Sequence, residues 1–322
     1  MPKVVVLDGP AAPQLPEMDG VGTGAQIVRT VAEQFGSEVA DADVVFVWDI
    51  ESTVLRQPWI TGTPVAWIHL NSSGVDAVMT DEVRSARVIV TNSRGAADRP
   101  VAEFVLHAIL AHARDAVEFS RFQRRREWHL EGGRLIKGSR ALVIGAGSIG
   151  SECAGLLKAC GMDVWGVARR QRAVAAPFDA LLTPGQLEMA AGWADYIVIT
   201  APLTDQTRGL VDLEFFRHVK PTAHLINVGR GPVVDEDALV WALDSGALDG
   251  ATLDVFDVEP LPPSHRLWDI PNVRIWPHVA SYVEELIPNL VSMFEDNLSR
   301  WTAGLPLKNV IDLESRHAGP EA

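Results

Sequence analysis

Three side chains able to hold an anion or move a proton sit in short, loop-like strings in the second half of this chain. Arg230 lies in Asn227-Val228-Gly229-Arg230-Gly231, Glu259 in Phe256-Asp257-Val258-Glu259-Pro260, and His278 in Trp276-Pro277-His278-Val279. A guanidinium can clamp a carboxylate through two parallel hydrogen bonds. An imidazole can give or take a proton near neutral pH. A carboxylate on the second ring nitrogen would orient the imidazole and favour its charged form. Together these groups suit reduction of a carbonyl beside a carboxylate, which needs a cation, a proton donor and a source of hydride. Taken singly, each also fits a plainer role: a surface cation, a turn carboxylate, a loop histidine.

The source of hydride has its own signature. Gly145-Ala146-Gly147-Ser148-Ile149-Gly150 matches G-x-G-x-x-G, with an apolar strand pattern before it and an amphipathic helix pattern after it. In that context Gly145 permits a tight turn, Gly147 lets the backbone approach a pyrophosphate, and Gly150 allows close helix–strand packing. The amides of Ser148 and Ile149 then open the helix toward the phosphates. A site that prefers NAD(H) carries an acid at the end of the second strand, about 20 residues on, for the ribose 2′-hydroxyl. That place holds Ala168, and Arg169, Arg170 and Arg172 follow. Guanidinium groups without a competing carboxylate suit a 2′-phosphate. NADP(H) is therefore the expected cofactor, with NAD(H) usable.

These residues must be carried by a framework, and the chain alternates strand and helix patterns throughout. Strands are predicted at residues 3–8, 43–48, 64–70 and 87–91, with a helix over 26–35. A long helix follows from Asp98 as cap, with Pro100 in its first turn. It is apolar on two sides, through Val101, Phe104, Val105 and Ala108 on one and Leu106 and Leu110 on the other. Such a helix is buried on two sides, joining domains or lining a dimer interface. Its later part, with Arg121 and Arg124 to Arg126, reads as a solvated face. A second series predicts strands at 141–145, 163–168, 195–200, 223–228, 251–255 and 273–276. Helices are predicted at 149–160, 236–244 and 281–302, the last open to a kink at Pro288. Alternation of this kind implies an α/β fold with parallel sheets. A length of 322 residues implies two domains. A net charge of −14 disfavours a nucleic-acid partner. No run approaches the ~20 apolar residues of a membrane span, and the quickly acidic start does not read as a secretory signal. Cys153 and Cys160 fall on one helical face and read as core, which fits a reduced, cytoplasmic setting. No metal is expected.

The ordered strings resemble the D-isomer-specific 2-hydroxyacid dehydrogenase family over most of the chain, from about Asn71 to about Asn309. Asn71-Ser72-Ser73-Gly74-Val75-Asp76 is similar to the family's substrate loop, and Pro100-Val101-Ala102-Glu103 to the start of its interdomain helix. Ala201-Pro202-Leu203-Thr204 with Thr207-Arg208-Gly209 is similar to its cofactor-side loop, and Arg230, Glu259 and His278 match its catalytic residues. The resemblance implies two Rossmann-like domains with parallel sheets and a cleft between them. One is a flavodoxin-like lid domain, 1–98 completed by 285–322; the other is an NAD(P)-binding domain, 99–284. It implies that Ala201, Pro202, Thr207, Val228, Gly229 and Asp254 lie on the cofactor, and that Ser72, Ser73 and Gly74 hold the substrate carboxylate with Arg230. Trp48 and the missing acid at Ala168 resemble the NADPH-using glyoxylate/hydroxypyruvate reductase branch, in which a Trp contacts substrate. A homodimer is implied as well. Arg94 departs from the small or apolar residues usual in its loop, and faces solvent or the substrate. The same fold also serves formate and phosphite dehydrogenases and dinucleotide-sensing corepressors. Glu259, where formate dehydrogenases place Gln, favours hydroxy-acid chemistry.

Overall fold

In the computed structural model, residues 1–312 are described except 11, 13, 17, 19–23, 76, 77, 131 and 172. Arg172 and Asp76 therefore lie outside the described residues. The chain divides into two compact units, Met1–Ala96 with Val283–Ala322, and Ala97–Tyr282.

The first unit holds β1 (Lys3–Leu7), β2 (Gln26–Thr30), α1 (Ala32–Val39), β3 (Val44–Val47), β4 (Trp67–Leu70), α2 (Asp81–Ser85) and β5 (Ile89–Asn92). All strand pairs are parallel, in the order β2-β1-β3-β4-β5. This is the doubly wound order typical of flavodoxin-like sheets. One expectation fails here. The helix predicted over 26–35 is instead strand β2 followed by α1. Ile27, Val28, Val31, Ala32 and Phe35 satisfy helical spacing, but Gln26–Thr30 is rich in β-branched residues and pairs along β1 from Lys3 to Leu7. As an edge strand it is only half-buried, so it lacks the continuous apolar run of its neighbours.

The second unit opens with α3 (Asp98–Ala113), α4 (Ala116–Arg125), β6 (Arg140–Ile144), α5 (Ser148–Ala159) and β7 (Asp163–Val167). It continues through β8 (Ala180–Leu182), α6 (Leu187–Trp193), β9 (Tyr196–Ile199), α7 (Leu213–His218) and β10 (His224–Asn227). It ends with α8 (Glu236–Asp244), β11 (Gly250–Leu253) and β12 (Val273–Ile275). The seven strands are parallel in the order β12-β11-β10-β9-β6-β7-β8. The order reverses between β6 and β9, which is where a doubly wound sheet opens a crevice at its carboxyl edge. Alternate residues feed two cores. Leu142, Ile144, Ile197 and Ile199 pack on one face, and Ala141, Val143, Tyr196 and Val198 on the other. A sheet covered on both faces needs such unbroken apolar strands.

The single long helix expected after Asp98 is two. It stops at Ala113, and Asp115 adopts a left-handed φ of 49° before α4 begins. Ala97, not Asp98, holds the capping position. The Asp98 carboxylate instead accepts a hydrogen bond from the Ser148 hydroxyl. Cys153 is buried, with its thiol pushed up to about 12 by burial, while Cys160 is half-buried; both are free. The closing helix α9 (Leu286–Thr302) starts later than predicted and returns to the first unit. There Phe294 stacks on Phe46 at 4.2 Å. Pro288 falls in its first turn, where no backbone N–H partner is lost.

Candidate active site

The carboxyl edge of the seven-stranded sheet gathers the chemistry residues of the second unit. After β6 the chain turns sharply through Gly145, whose φ of 113° excludes most side chains. A Cβ there would also lie 2.6 Å from the Ala201 N. At Gly150 a Cβ would collide with the Gly145 carbonyl oxygen, so α5 packs as closely as the motif requires. A Cβ on Gly147, by contrast, would meet open space. The first-turn amides of α5, from Ser148 and Ile149 onward, have no helical acceptor. Open space above unpaired N–H groups at a helix start suits a pyrophosphate. Thr200 locks the turn by donating its hydroxyl to the Gly145 carbonyl at 2.8 Å. The adjoining loop is braced by Thr207, which donates to the Pro202 carbonyl at 2.6 Å and accepts from the Thr204 N–H at 2.8 Å.

At the end of β7, Ala168 is half-buried and Arg169 and Arg170 are exposed. Neither arginine forms an ion pair among the described residues. The donor set thus fits a dinucleotide.

Arg230 follows β10 and begins the turn Gly231–Val233. Its Nη1 donates to the Gly229 carbonyl at 2.8 Å, which fixes one edge of the guanidinium. Gly229 is itself tied back, its N–H donating to Asn227 Oδ1 at 3.1 Å. His278 follows β12 with a left-handed φ of 56°, a conformation retained by a non-glycine residue only where its surroundings over-determine it. Asp254, at the end of β11, supplies those surroundings. Its carbonyl accepts the His278 N–H at 2.9 Å. Its carboxylate takes the N–H groups of Val279 at 2.8 Å and Ala280 at 3.0 Å. Burial raises the Asp254 pKa, and those two amides offset only part of the rise. Sequence reasoning placed Asp254 on the cofactor and missed its hold on the histidine loop; the only signal was an acid ending an apolar strand.

His278 Nδ1–H donates to Glu259 Oε2 at 2.7 Å. Glu259 Oε1 accepts the Phe256 N–H at 2.9 Å, so the carboxylate is held at both oxygens. The bond to Glu259 raises the His278 pKa above its ordinary 6.5, against the opposing effects of burial and the Arg230 charge. Burial works to raise the Glu259 pKa, but His278, the Phe256 amide and the Arg230 charge outweigh it and leave the carboxyl lowered. Arg230 is thus near enough to act on both. The His278 side chain is 50% exposed, and its Nε2 has no partner among the described residues. The pair is a proton donor aimed outward, with its charge stabilised from behind.

In the first unit, the string Asn71–Gly74 follows β4. The Asn71 side chain donates to the Trp48 carbonyl at 2.6 Å, and the Ser72 hydroxyl to the Gly74 carbonyl at 2.6 Å. The N–H groups of Ser72, Ser73 and Gly74 have no partner among the described residues, a run of amides suited to an anion. Trp48 is fully buried and meets Phe46 edge-on at 5.5 Å. It sits as a core side chain, so its placement lends no support to the substrate contact implied by the resemblance. Arg94 is exposed and reaches Asn309 Oδ1 at 3.4 Å.

A parallel, doubly wound sheet with a glycine turn at its switch point and an acid–base pair on the same edge defines a dinucleotide-dependent oxidoreductase. Comparison with known proteins narrows the class. Residues 106–280 match the family model described as D-isomer specific 2-hydroxyacid dehydrogenase, NAD binding domain. The chain is 35% identical to a glyoxylate reductase of Aeropyrum pernix over 251 residues, covering 75% of this chain and 74% of that protein. It is 35% identical to glyoxylate/hydroxypyruvate reductase B of Pectobacterium carotovorum over 250 residues, covering 75% and 77%. Among solved structures, a D-isomer specific 2-hydroxyacid dehydrogenase from Xanthobacter autotrophicus, in complex with NADPH and MES, superposes with a TM-score of 0.82. That match has 30% identity and covers 98% of this chain and 99% of the other. The chain belongs to the D-isomer specific 2-hydroxyacid dehydrogenase family and is an NAD(P)-dependent oxidoreductase of that kind.

Proposed function

We propose that the protein is an NADPH-preferring reductase of small 2-keto acids, glyoxylate and hydroxypyruvate first among them, and forms D-2-hydroxy acids. The observation that carries this reading is the His278–Glu259 pair beside Arg230, on the edge where the dinucleotide turn opens. When bound, the reduced dinucleotide supplies the hydride for the keto carbon. Arg230 binds the substrate carboxylate through its guanidinium, together with the amides of Ser72, Ser73 and Gly74. His278 gives its Nε2 proton to the carbonyl oxygen as that atom takes on charge. Glu259 stays on Nδ1, where it orients the ring and stabilises imidazolium. The turn from Gly145 to Gly150 takes the pyrophosphate. The loop through Ala201, Pro202 and Thr207 and the residues Val228, Gly229 and Asp254 border the nicotinamide. Arg169 and Arg170 take the 2′-phosphate. The NADPH found with the Xanthobacter relative and the names of the two reductases support the cofactor and substrate class. A homodimer and a cytoplasmic setting belong to the same proposal.

The test is a spectrophotometric screen of 2-keto acids with NADPH and NADH. The highest kcat/KM is expected for glyoxylate or hydroxypyruvate with NADPH. Absence of turnover with every keto acid would sink the reductase reading, and a clear NADH preference would sink the cofactor reading.

A further inference from the structure

The carboxylate-binding amides proposed for the Ser72–Gly74 loop do not face outward by themselves. In a trans peptide the C=O and the following N–H point in opposite directions. Whatever holds the Ser72 carbonyl therefore aims the Ser73 N–H, and whatever holds the Ser73 carbonyl aims that of Gly74. The Ser72 carbonyl accepts the Ser93 N–H at 3.0 Å. The Ser73 carbonyl accepts from Asn92 Nδ2 at 2.7 Å. Both donors stand at the end of β5, and both residues are buried.

Asn92 is fixed on its other sides. Its Oδ1 accepts the Arg94 N–H at 3.3 Å, and its own N–H donates to the Asn309 carbonyl at 3.3 Å. Ser93 is fixed by a chain of buried groups through His69. The Ser93 hydroxyl donates to the Leu70 carbonyl at 2.8 Å, since a carbonyl can only accept. Its oxygen must then accept from His69 Nε2, 3.2 Å away. His69 is thus the neutral Nε2–H tautomer, with a bare Nδ1 that accepts from the Thr91 hydroxyl at 2.7 Å. Thr91 Oγ1 in turn accepts from Trp67 Nε1 at 2.8 Å. The chain runs one way, from Trp67 through Thr91, His69 and Ser93 to the Leu70 carbonyl. Burial lowers the His69 pKa to about 3, so no charge disturbs it near neutral pH. The rings of Phe46 and Phe294 pack against His69 at 5.4 and 5.5 Å.

We propose that Asn92 and His69 are positioning residues for substrate binding: Asn92 directly, and His69 through Ser93, turn the Ser72 and Ser73 carbonyls inward and so present the loop amides to the substrate carboxylate. This rests on the keto-acid reading above. Neither side chain touches the reacting atoms, so the effect belongs to substrate affinity and not to the chemical step.

Steady-state kinetics of the full chain with glyoxylate and NADPH test it, on the parent and on Asn92→Asp, His69→Phe and His69→Gln. Asn92→Asp keeps the shape but replaces the donor to Ser73 with an acceptor. His69→Phe keeps the ring packing but breaks the chain, whereas His69→Gln retains a donor toward Ser93. The expected result is a glyoxylate KM raised ~10-fold in Asn92→Asp and His69→Phe, about one hydrogen bond's effect. The NADPH KM should stay within about twofold and kcat within about threefold. His69→Gln should recover most of the loss. An unchanged glyoxylate KM in folded Asn92→Asp overturns the inference, as do parallel rises in both KM values or a His69→Gln no better than His69→Phe. Should His69→Phe not fold, Asn92→Asp decides alone. A parent that reduces no keto acid overturns the functional reading and this inference with it; a failure confined to the variants overturns only this one.

Discussion

At the scale of single residues, the site turns on the charge state of one imidazole. His278 must be protonated to donate in the reductive direction. Its folded-state pKa is raised, first by the bond to Glu259. The rate of reduction should therefore be sustained at low pH and fall as pH rises through that elevated pKa, above 6.5. The contribution of His278 to stability has the same sign, being present below its unfolded value and lost above the folded one, whereas that of Glu259, whose pKa is lowered, is lost as pH falls. Replacing Glu259 by Gln keeps an oxygen for Nδ1–H but removes the carboxylate charge, so the alkaline limb of kcat/KM should move to lower pH. His278→Ala should cost ~10²–10⁴-fold in kcat/KM, the usual loss when a general acid is removed. A limb that stays in place in Glu259→Gln, measured across pH 5–10, would remove His278 from the role of acid.

At the scale of elements, the end of β7 is where the proposed cofactor preference would be set. Arg169 and Arg170 are exposed and unpaired with acids among the described residues, so a 2′-phosphate would not have to displace a partner. Hydrogen bonds to charged groups contribute roughly 1.5–3 kcal/mol each. Arg169→Ala with Arg170→Ala removes both and should then lower kcat/KM for NADPH by roughly 10²–10⁴-fold and leave NADH nearly unchanged. Equal losses with both cofactors would show that the arginines serve the fold and not the phosphate. This edge was largely legible in the sequence, because parallel strands covered on both faces must be continuous apolar runs, and glycine positions at a phosphate turn are fixed by sterics. The trio was legible through its strings. What escaped was set by tertiary contact. β2 carries a helix-like spacing and becomes a strand only by pairing with β1. Asp98 looks like a cap and instead meets Ser148 across two helices. Trp48, which the resemblance implied as a substrate contact, is fully buried. The Asp254 clamp and the His69 chain join residues about 25 positions apart, beyond the reach of any local pattern.

At the scale of the whole molecule, the question is what covers the segment after α4. Trp128, Leu130 and Leu135 are 91%, 85% and 77% exposed, and the chain carries a net charge of −14. A strongly acidic protein gains solubility from charge and has no need of a large apolar display, which more often marks an association surface. Two copies meeting through this segment would bury six such side chains, three from each, for at most about 9–18 kcal/mol, against an association cost of roughly 4–15 kcal/mol. Leu110, 42% exposed, belongs to the second apolar stripe of α3, the helix expected to join domains or line a dimer interface. If two copies associate through this segment of the nucleotide-binding unit, sedimentation velocity at micromolar concentration should give about twice 35.0 kDa. Trp128→Glu with Leu130→Glu should give single chains that retain dinucleotide binding, because both positions lie outside the Gly145–Gly150 turn and the carboxyl edge. Like charges on acidic partners repel less as salt screens them, so dissociation should be more pronounced at 10 mM than at 300 mM salt. A parent that sediments as a single chain at every concentration and salt level would end the dimer proposal.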